Sequence, residues 1–159
     1  MQAVCNASPL IALAKAGLLD ILPKVFSRIV VPQKVVEGIL AGPEDDAIRN
    51  QLNDLSWLEK ITVDPPITPL AGVQLGRGEA EVIEWATGRT DTIALLDDRT
   101  ARRAARSVGV TPCGTLGALR MAVRSGAVSS FTEAVKRLRE AGLYLDEQTI
   151  EAVRLQLGE

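Results

Sequence analysis

The fold class is decided by residues 92–109, which read TIALLDDRTARRAARSVG. The run is apolar until it reaches Asp97 and Asp98, and this pattern predicts a buried strand over 92–98. Alanines then recur three and four residues apart, which predicts a helix over 99–109 with one small apolar face. A buried strand followed at once by a helix is typical of a parallel sheet covered by helices.

The same alternation of strands and helices extends along the rest of the chain. Further strands are predicted at about residues 2–6, at 28–32, within 57–66 and at 110–114. Further helices are predicted at 8–16, 33–42, 43–55, 75–88 and 115–126, and two more begin at Ser130 and Asp146. Such a chain is expected to form an α/β fold, with a parallel sheet sandwiched between layers of helices.

Local signals fix several of these boundaries. Ser8 followed by Pro9 is predicted to cap the first helix, with proline at the first helical position. Pro65 and Pro66 are expected to end the third strand. Ser130 has a glutamate three residues later, the spacing of a capping box at a helix start.

Composition agrees with this class and narrows the chemistry. The 159 residues suit a single domain, 1–159, and 47% are hydrophobic but only 3% aromatic, so the core must be mostly aliphatic. The chain has no histidine, which excludes Ser-His-Asp and Cys-His nucleophilic systems and most zinc sites. Carboxylates and a cation that prefers oxygen ligands are left to carry any chemistry. The net charge of −2 means that any surface for nucleic acid must be local.

The sequence gives no sign of export or of a membrane. No apolar run approaches the roughly 20 residues needed to cross a bilayer, and no signal-peptide pattern is present. Cys5 and Cys113 are therefore interpreted as buried thiols of a cytoplasmic protein.

Acidic and amide side chains concentrate where one edge of the predicted sheet would lie. Asn6 ends the first strand, two aspartates end the fourth, and glutamates occupy the neighbouring helices. The candidate metal ligands and catalytic residues are Asn6, Glu37, Glu79, Asp97 and Asp98, and Glu81 is a candidate supporting residue. Several carboxylates held close together repel one another, so their convergence indicates a divalent cation.

Each of these acids also has an ordinary structural interpretation. Glu79 and Glu81 are electrostatically favourable in the first turn of a helix. Asp97 or Asp98 is a suitable cap for the helix that follows. A phospho-accepting receiver module is disfavoured, because the last strand ends at Cys113 without the lysine that such a module needs.

Six blocks of the chain, in order, also carry a family resemblance. They are NASPLIALAKAGLLDIL at 6–22, VVPQKVVEGI at 30–39, LGRGEAEVIEWA at 75–86, ALLDDRTARRAARSVGV at 94–110, GTLGALRMAVRSG at 114–126 and LREAGLYLDEQTIEAVR at 138–154. Together they resemble the PIN-domain superfamily, in its largely uncharacterised bacterial and archaeal branch related to VapC-like toxins of toxin–antitoxin pairs.

The resemblance implies a three-layer α/β/α sandwich with five parallel strands in the order 3-2-1-4-5. That order would separate the first and fifth strands by about 10 Å, too far for a disulfide, whose Cα atoms lie within about 7 Å. The resemblance also implies an Mg²⁺- or Mn²⁺-dependent endoribonuclease, a toxin that forms a homodimer and is silenced by a small antitoxin protein. The last two helices, about 129–159, are expected to pack on the core or on a dimer partner.

Carried over by position, the family's metal-binding acids fall on the candidate residues above. Glu81 is an alternative to Glu79 as the third acid, and either Asp97 or Asp98 is the last. Ser8 and Thr115 would take supporting roles. Four arginines of the helix predicted over 99–109 offer an RNA-binding strip or simply a solvated face: Arg99, Arg102, Arg103 and Arg106.

Asn6 departs from the family pattern, because an aspartate is usual there. An amide oxygen can bind a cation but carries no charge, so metal binding should be weaker. The alternative function is therefore a catalytically weakened module that binds RNA or a protein partner without cleavage.

Overall fold

A computed structural model describes residues 1–64 and 72–159 of the chain. Its strands are β1 (Gln2–Cys5), β2 (Arg28–Pro32), β3 (Leu58–Ile61), β4 (Thr92–Leu95) and β5 (Thr111–Cys113). Its α-helices are α1 (Ala7–Lys15), α2 (Leu22–Val25), α3 (Gln33–Leu40), α4 (Ala47–Gln51), α5 (Arg77–Ala86), α6 (Arg99–Ser107), α7 (Thr115–Arg124), α8 (Phe131–Glu140) and α9 (Glu147–Leu157).

The strands form one parallel sheet in the order β3-β2-β1-β4-β5, flanked by helices. The expected fold class and strand order are confirmed. Central β1 pairs with β2, where Ala3 lies opposite Ile29, and with β4, where Cys5 lies opposite Leu95. Because both faces of a central parallel strand are covered, residues 3–5 and 94–96 are fully buried.

The core is aliphatic, as the composition requires. Leu10, Leu13 and Leu138 are fully buried, and Phe131 is the largest side chain with no exposure. Helix α8 packs on α1 and α7, and α9 packs on α7. The C-terminal helices thus cover the first and seventh helices and contribute buried side chains to the core.

The starts of α1 and α4 differ from the prediction. Helix α1 begins at Ala7, so Asn6 rather than Ser8 occupies the N-cap position. Pro9 is tolerated there because N–H groups in the first turn have no partner within the helix. The helix predicted over 43–55 is reduced to α4, since the acidic run after Pro43 forms turns instead.

The remaining expectations concern the third strand, the cysteines and the membrane. Strand β3 ends at Ile61, and the strand-ending role of Pro65 and Pro66 lies outside the described residues. Cys5 and Cys113 are free thiols on strands that β4 separates. No helix within 1–64 or 72–159 is long and apolar enough to cross a membrane.

Candidate active site at the carboxyl edge of the sheet

The strand order reverses between β1 and β4. From β1 the chain proceeds to β2 and β3 on one side of the sheet, and it then returns to place β4 and β5 on the other. Connections leave such a switch point in opposite directions and open a crevice at the carboxyl ends of the two strands, where ligands bind in open α/β sheets. Asn6 follows β1 directly, and Asp97 follows β4 after one intervening leucine.

Asn6 is buried at this crevice, with 9% of its surface exposed. Its backbone N–H donates to the carbonyl oxygen of Leu95 at 3.1 Å, which fixes the residue beside β4. Although it holds the N-cap position of α1, its side chain makes no capping hydrogen bond. The amide is therefore not needed to complete the helix.

A glycine brings α5 close to Asn6. A Cβ atom added to Gly78 would lie 3.4 Å from Asn6 Oδ1 and 3.0 Å from Cγ2 of Val35 on α3. The second distance is shorter than ordinary van der Waals contact, so only glycine fits without movement of its neighbours. The first turn of α5, the start of α3 and Asn6 consequently meet at one place.

Asp97 is tied to the start of α7. Its Oδ1 accepts the backbone N–H of Thr115 at 2.7 Å, and its Oδ2 accepts the Thr115 hydroxyl at 2.8 Å. Thr115 is buried, and Gly114 leaves room for the carboxylate, since a Cβ there would lie 3.1 Å from Oδ1. Each carboxylate oxygen can accept two hydrogen bonds or ligands, so Asp97 keeps acceptor capacity.

Asp98 has a different place. It is exposed, occupies the N-cap of α6, and accepts the backbone N–H of Ala101 at 2.7 Å through Oδ2. The two adjacent aspartates thus divide between the start of α7, where Thr115 binds Asp97, and the N-cap of α6, which Asp98 occupies.

The glutamates are each held by a nearby donor. Glu79 Oε2 accepts the backbone N–H of Gly76 at 3.0 Å and so caps its own helix. Glu81 is buried, and its Oε2 accepts the backbone N–H of Lys34 at 3.3 Å, at the N-terminus of α3. Glu37 is half exposed and pairs with Nζ of Lys34 at 2.7 Å.

A family model described as a PIN domain matches residues 2–159. The chain belongs to the PIN-domain family. The match spans every strand of the sheet and confirms the resemblance carried by the six sequence blocks. No match was found among curated proteins or among solved structures.

Lys34 of this PIN domain was missed by sequence reasoning. Through its backbone N–H and its ammonium group it contacts Glu81 and Glu37, on two different helices. Its position three residues before Glu37 is a recognisable signal, because residues at that spacing face each other on a helix. The contact with Glu81 had no such signal, since it depends on how α3 and α5 pack.

The predicted supporting residues and the predicted RNA-binding arginines also lie in different surroundings. Thr115 contacts Asp97, whereas Ser8 is exposed on the first turn of α1. The prediction that Arg102 points outward is wrong: its Nη1 donates to the carbonyl oxygens of Leu96, at 3.2 Å, and of Asp97. These carbonyls follow the end of β4, and a guanidinium has enough donors to satisfy them. The three other arginines proposed for RNA binding are exposed: Arg99, Arg103 and Arg106.

The oxygen ligands at this edge of the sheet are of the type that a divalent cation prefers, but fewer of them converge than such a site needs. Carboxylate and amide oxygens are the ligands that Mg²⁺ and Mn²⁺ prefer. However, in the two described ranges no three histidine, cysteine, aspartate or glutamate residues form a group that could hold a metal ion. Two carboxylates expected in such a group are bound elsewhere: Glu37 pairs with Lys34, and Glu79 accepts the backbone N–H of Gly76.

Proposed function

We propose that this PIN-domain protein is a divalent-metal-dependent ribonuclease that hydrolyses RNA phosphodiesters at the crevice between β1 and β4. The observation that supports it most is the carboxylate of Asp97, held by two hydrogen bonds from Thr115 at the point where the strand order reverses. Asn6 supplies an uncharged oxygen donor from the neighbouring strand.

In this proposal, side chains of the protein hold the site in place and supply its negative charge. Thr115 fixes the direction of the Asp97 carboxylate, and Arg102 fixes the backbone at the end of β4. Asn6, Glu37, Glu79 or Glu81, and Asp97 would hold Mg²⁺ or Mn²⁺, which when bound lowers the pKa of a water molecule and stabilises charge on the phosphate. With no histidine in the chain, carboxylates are the side chains that can accept a proton near neutral pH.

Lys34 adds a condition to this proposal. Its ammonium group neutralises Glu37 while the two are paired at 2.7 Å. Glu37 can serve as a ligand only when the pair opens, and an exposed pair of this kind contributes little stability that would resist opening.

A second candidate is a module that binds RNA or a protein partner without cleaving RNA. It is favoured by the missing charge at Asn6 and by the lack of a three-acid group in the portions of the chain that the structure describes. The two candidates differ in their response to Asn6→Asp: restoring the charge to a weak nuclease raises its activity, whereas a module that only binds stays inactive.

We further propose that this ribonuclease is the toxin of a toxin–antitoxin pair. It would act as a homodimer and be silenced by a small antitoxin protein. Support comes from the resemblance of the six blocks, and Leu155, 72% exposed on α9, supplies an apolar position at which a dimer contact can be tested. Sedimentation velocity of the purified protein should show a dimer that Leu155→Glu dissociates. A strict monomer at all concentrations would contradict the homodimer.

RNA cleavage by the purified chain tests the main proposal. Single-stranded RNA should be cut in Mn²⁺ and left intact in excess EDTA. Asp97→Asn should abolish the cleavage, and Asp98→Asn, which alters the matched neighbour outside the crevice, should retain it. If neither the natural chain nor Asn6→Asp cuts RNA or binds Mn²⁺, the ribonuclease proposal fails.

A further inference from the structure

A second feature of the molecule lies beside Asp97, on the β5 side of the sheet. A cavity of about 470 Å³ opens between β5, α6, α7 and the segment that joins α8 to α9. Asp97 and Thr115 form part of its wall, so the cavity is continuous with the candidate active site. Tyr144 and Asp146 line it from the joining segment.

Three arginines line this cavity, namely Arg102, Arg106 and Arg120. Arg120 Nη1 donates to Gln156 at 2.6 Å, while its Nε is buried without a hydrogen-bond partner among the described residues. Arg106 is exposed. A guanidinium carries five donors, so Arg120 keeps donors for the acceptor oxygens of a ligand besides its bond to Gln156.

The two carboxylates of the cavity are acceptors rather than donors, and each is bound by a nearby threonine. Asp97 is bound by Thr115, and Asp146 caps α9 by accepting the backbone N–H of Thr149 at 2.8 Å. Hydrogen bonds from Thr149 hold the pKa of Asp146 below its ordinary value, so it stays ionised within the cap. Burial raises the pKa of the Cys113 thiol to about 11, which leaves that wall neutral. The arginines are therefore the charged groups with donors left for a ligand, in a chain whose net charge is −2.

The one tyrosine of the chain stands at this cavity with 96% of its surface exposed. Both phenylalanines are buried, and both tryptophans pack against the core. An aromatic ring left in water beside arginines matches sites for single-stranded nucleic acid, where rings stack on bases and guanidinium groups bind phosphates.

We propose that this cavity binds a nucleotide of single-stranded RNA adjacent to the phosphate at Asp97, with Arg106 and Arg120 on backbone phosphates and Tyr144 stacked on a base. The choice of RNA rests on the proposed function. A duplex would not serve, because its bases are already stacked and cannot reach the ring. An acidic protein segment would use the arginines but would leave the tyrosine ring without a role.

Binding of a fluorescent single-stranded RNA oligonucleotide, followed by anisotropy in EDTA, tests this site without cleavage. Tyr144→Leu should weaken binding about tenfold, the effect of losing one stacked base, and leave the salt dependence unchanged. Tyr144→Phe, which keeps the ring, should bind like the natural chain. Arg106→Gln should lower the slope of log affinity against log salt by about 0.7, the value for one phosphate contact on a single strand.

Arg124→Gln is the control for Arg106→Gln. Arg124 is an exposed arginine on α7 that does not line the cavity, so its substitution should leave affinity and slope unchanged. If Tyr144→Leu and Arg106→Gln bind RNA like the natural chain, or if Arg124→Gln weakens binding as much, the inference is overturned. It is also overturned if no RNA binds, or if a glutamate-rich peptide binds more tightly than RNA and loses affinity with the same substitutions.

These results separate the nucleotide site from the proposed activity. Mn²⁺-dependent cleavage that survives Tyr144→Leu and Arg106→Gln unaltered, with unchanged RNA affinity, would uphold the ribonuclease and reject the cavity. RNA binding that depends on both residues in a chain that never cuts RNA would uphold the cavity and reject the ribonuclease.

Discussion

Thr115 donates to both carboxylate oxygens of Asp97, from its backbone N–H at 2.7 Å and from its hydroxyl at 2.8 Å. The two bonds join the end of β4 to the first turn of α7 and settle the direction of the carboxylate. They also distinguish Asp97 from Asp98, whose carboxylate caps α6 instead.

The hydrogen bond from the Thr115 hydroxyl to Asp97 predicts how much stability a substitution at Thr115 removes. Thr115→Val keeps the shape of a buried side chain but removes one donor from a charged acceptor, so the free energy of unfolding should fall by about 1.5–2 kcal/mol. Thr115→Ser keeps the donor and should lose less. Urea denaturation of the three chains measures the difference, and equal losses for valine and serine would show that the bond does not form.

The cap at Asp98 predicts a separate, purely structural effect. Asp98→Ala removes the acceptor for the Ala101 N–H and should lower the free energy of unfolding by about 1 kcal/mol. Asp98→Asn and Asp98→Ser retain a capping oxygen and should stay close to the natural chain. A loss as large for asparagine as for alanine would mean that the charge of Asp98, rather than its capping oxygen, is what matters.

Two glycines in helices α3 and α5 form a matched pair for testing the packing at Asn6. Gly78→Ala would place a Cβ 3.0 Å from Val35 and 3.4 Å from Asn6 Oδ1, and overpacking of this kind costs about 1–3 kcal/mol. Gly38→Ala meets no atom of residues 1–64 or 72–159 within 4 Å and should stabilise the protein by up to about 1 kcal/mol through helix propensity. Thermal denaturation should therefore shift in opposite directions. A stabilising Gly78→Ala would contradict the close approach of α5 to α3.

The hydrogen bonds of Glu159 predict that the stability of the protein falls at low pH. Its carboxylate accepts the backbone N–H groups of Phe131 and Thr132, at 2.7 and 2.9 Å, and the Ser130 hydroxyl at 3.2 Å. These bonds lower the pKa of Glu159 to about 2. Because the folded-state pKa lies below the unfolded one, the stabilisation is complete above the unfolded pKa and is lost as the pH falls towards 2.

The measurement for Glu159 compares unfolding curves of the natural chain and Glu159→Gln between pH 2 and 7. The difference should be largest near neutral pH, of the order of 0.5 kcal/mol for an exposed carboxylate at a helix start, and should shrink in acid. Glu44→Gln, at an exposed position in the turn before α4, should show no such trend. A difference that is constant across the pH range would contradict the cap.

Much of the fold could be predicted because the signals are local. The apolar run before Asp97 and the alanine spacing after Asp98 determine a strand and a helix without reference to distant residues. The helix predicted over 43–55 was too long, since hydrophobic spacing does not show how far acidic residues after Pro43 favour turns.

The candidate site was less predictable because its details depend on packing between elements. Position in sequence places Glu79 and Glu81 in the same turn, yet the contact of α5 with α3 buries Glu81 against the backbone of Lys34. Arg102 lies on the polar side of its helix by periodicity, but free carbonyl groups at the end of β4 draw it inward. Neither outcome follows from the spacing of residues along the chain.

The central claim, that Asn6 and Asp97 belong to one divalent cation site that serves RNA cleavage, is tested most directly by Asn6→Asp. Titration of Mn²⁺ by calorimetry, with RNA cleavage measured on the same preparations, should show binding about tenfold tighter and faster cleavage than in the natural chain, because ligand charge sets affinity at oxygen sites. Asn6→Asp combined with Asp97→Asn should lose both gains. Equal Mn²⁺ affinity and equal cleavage in the natural chain and Asn6→Asp would contradict the claim.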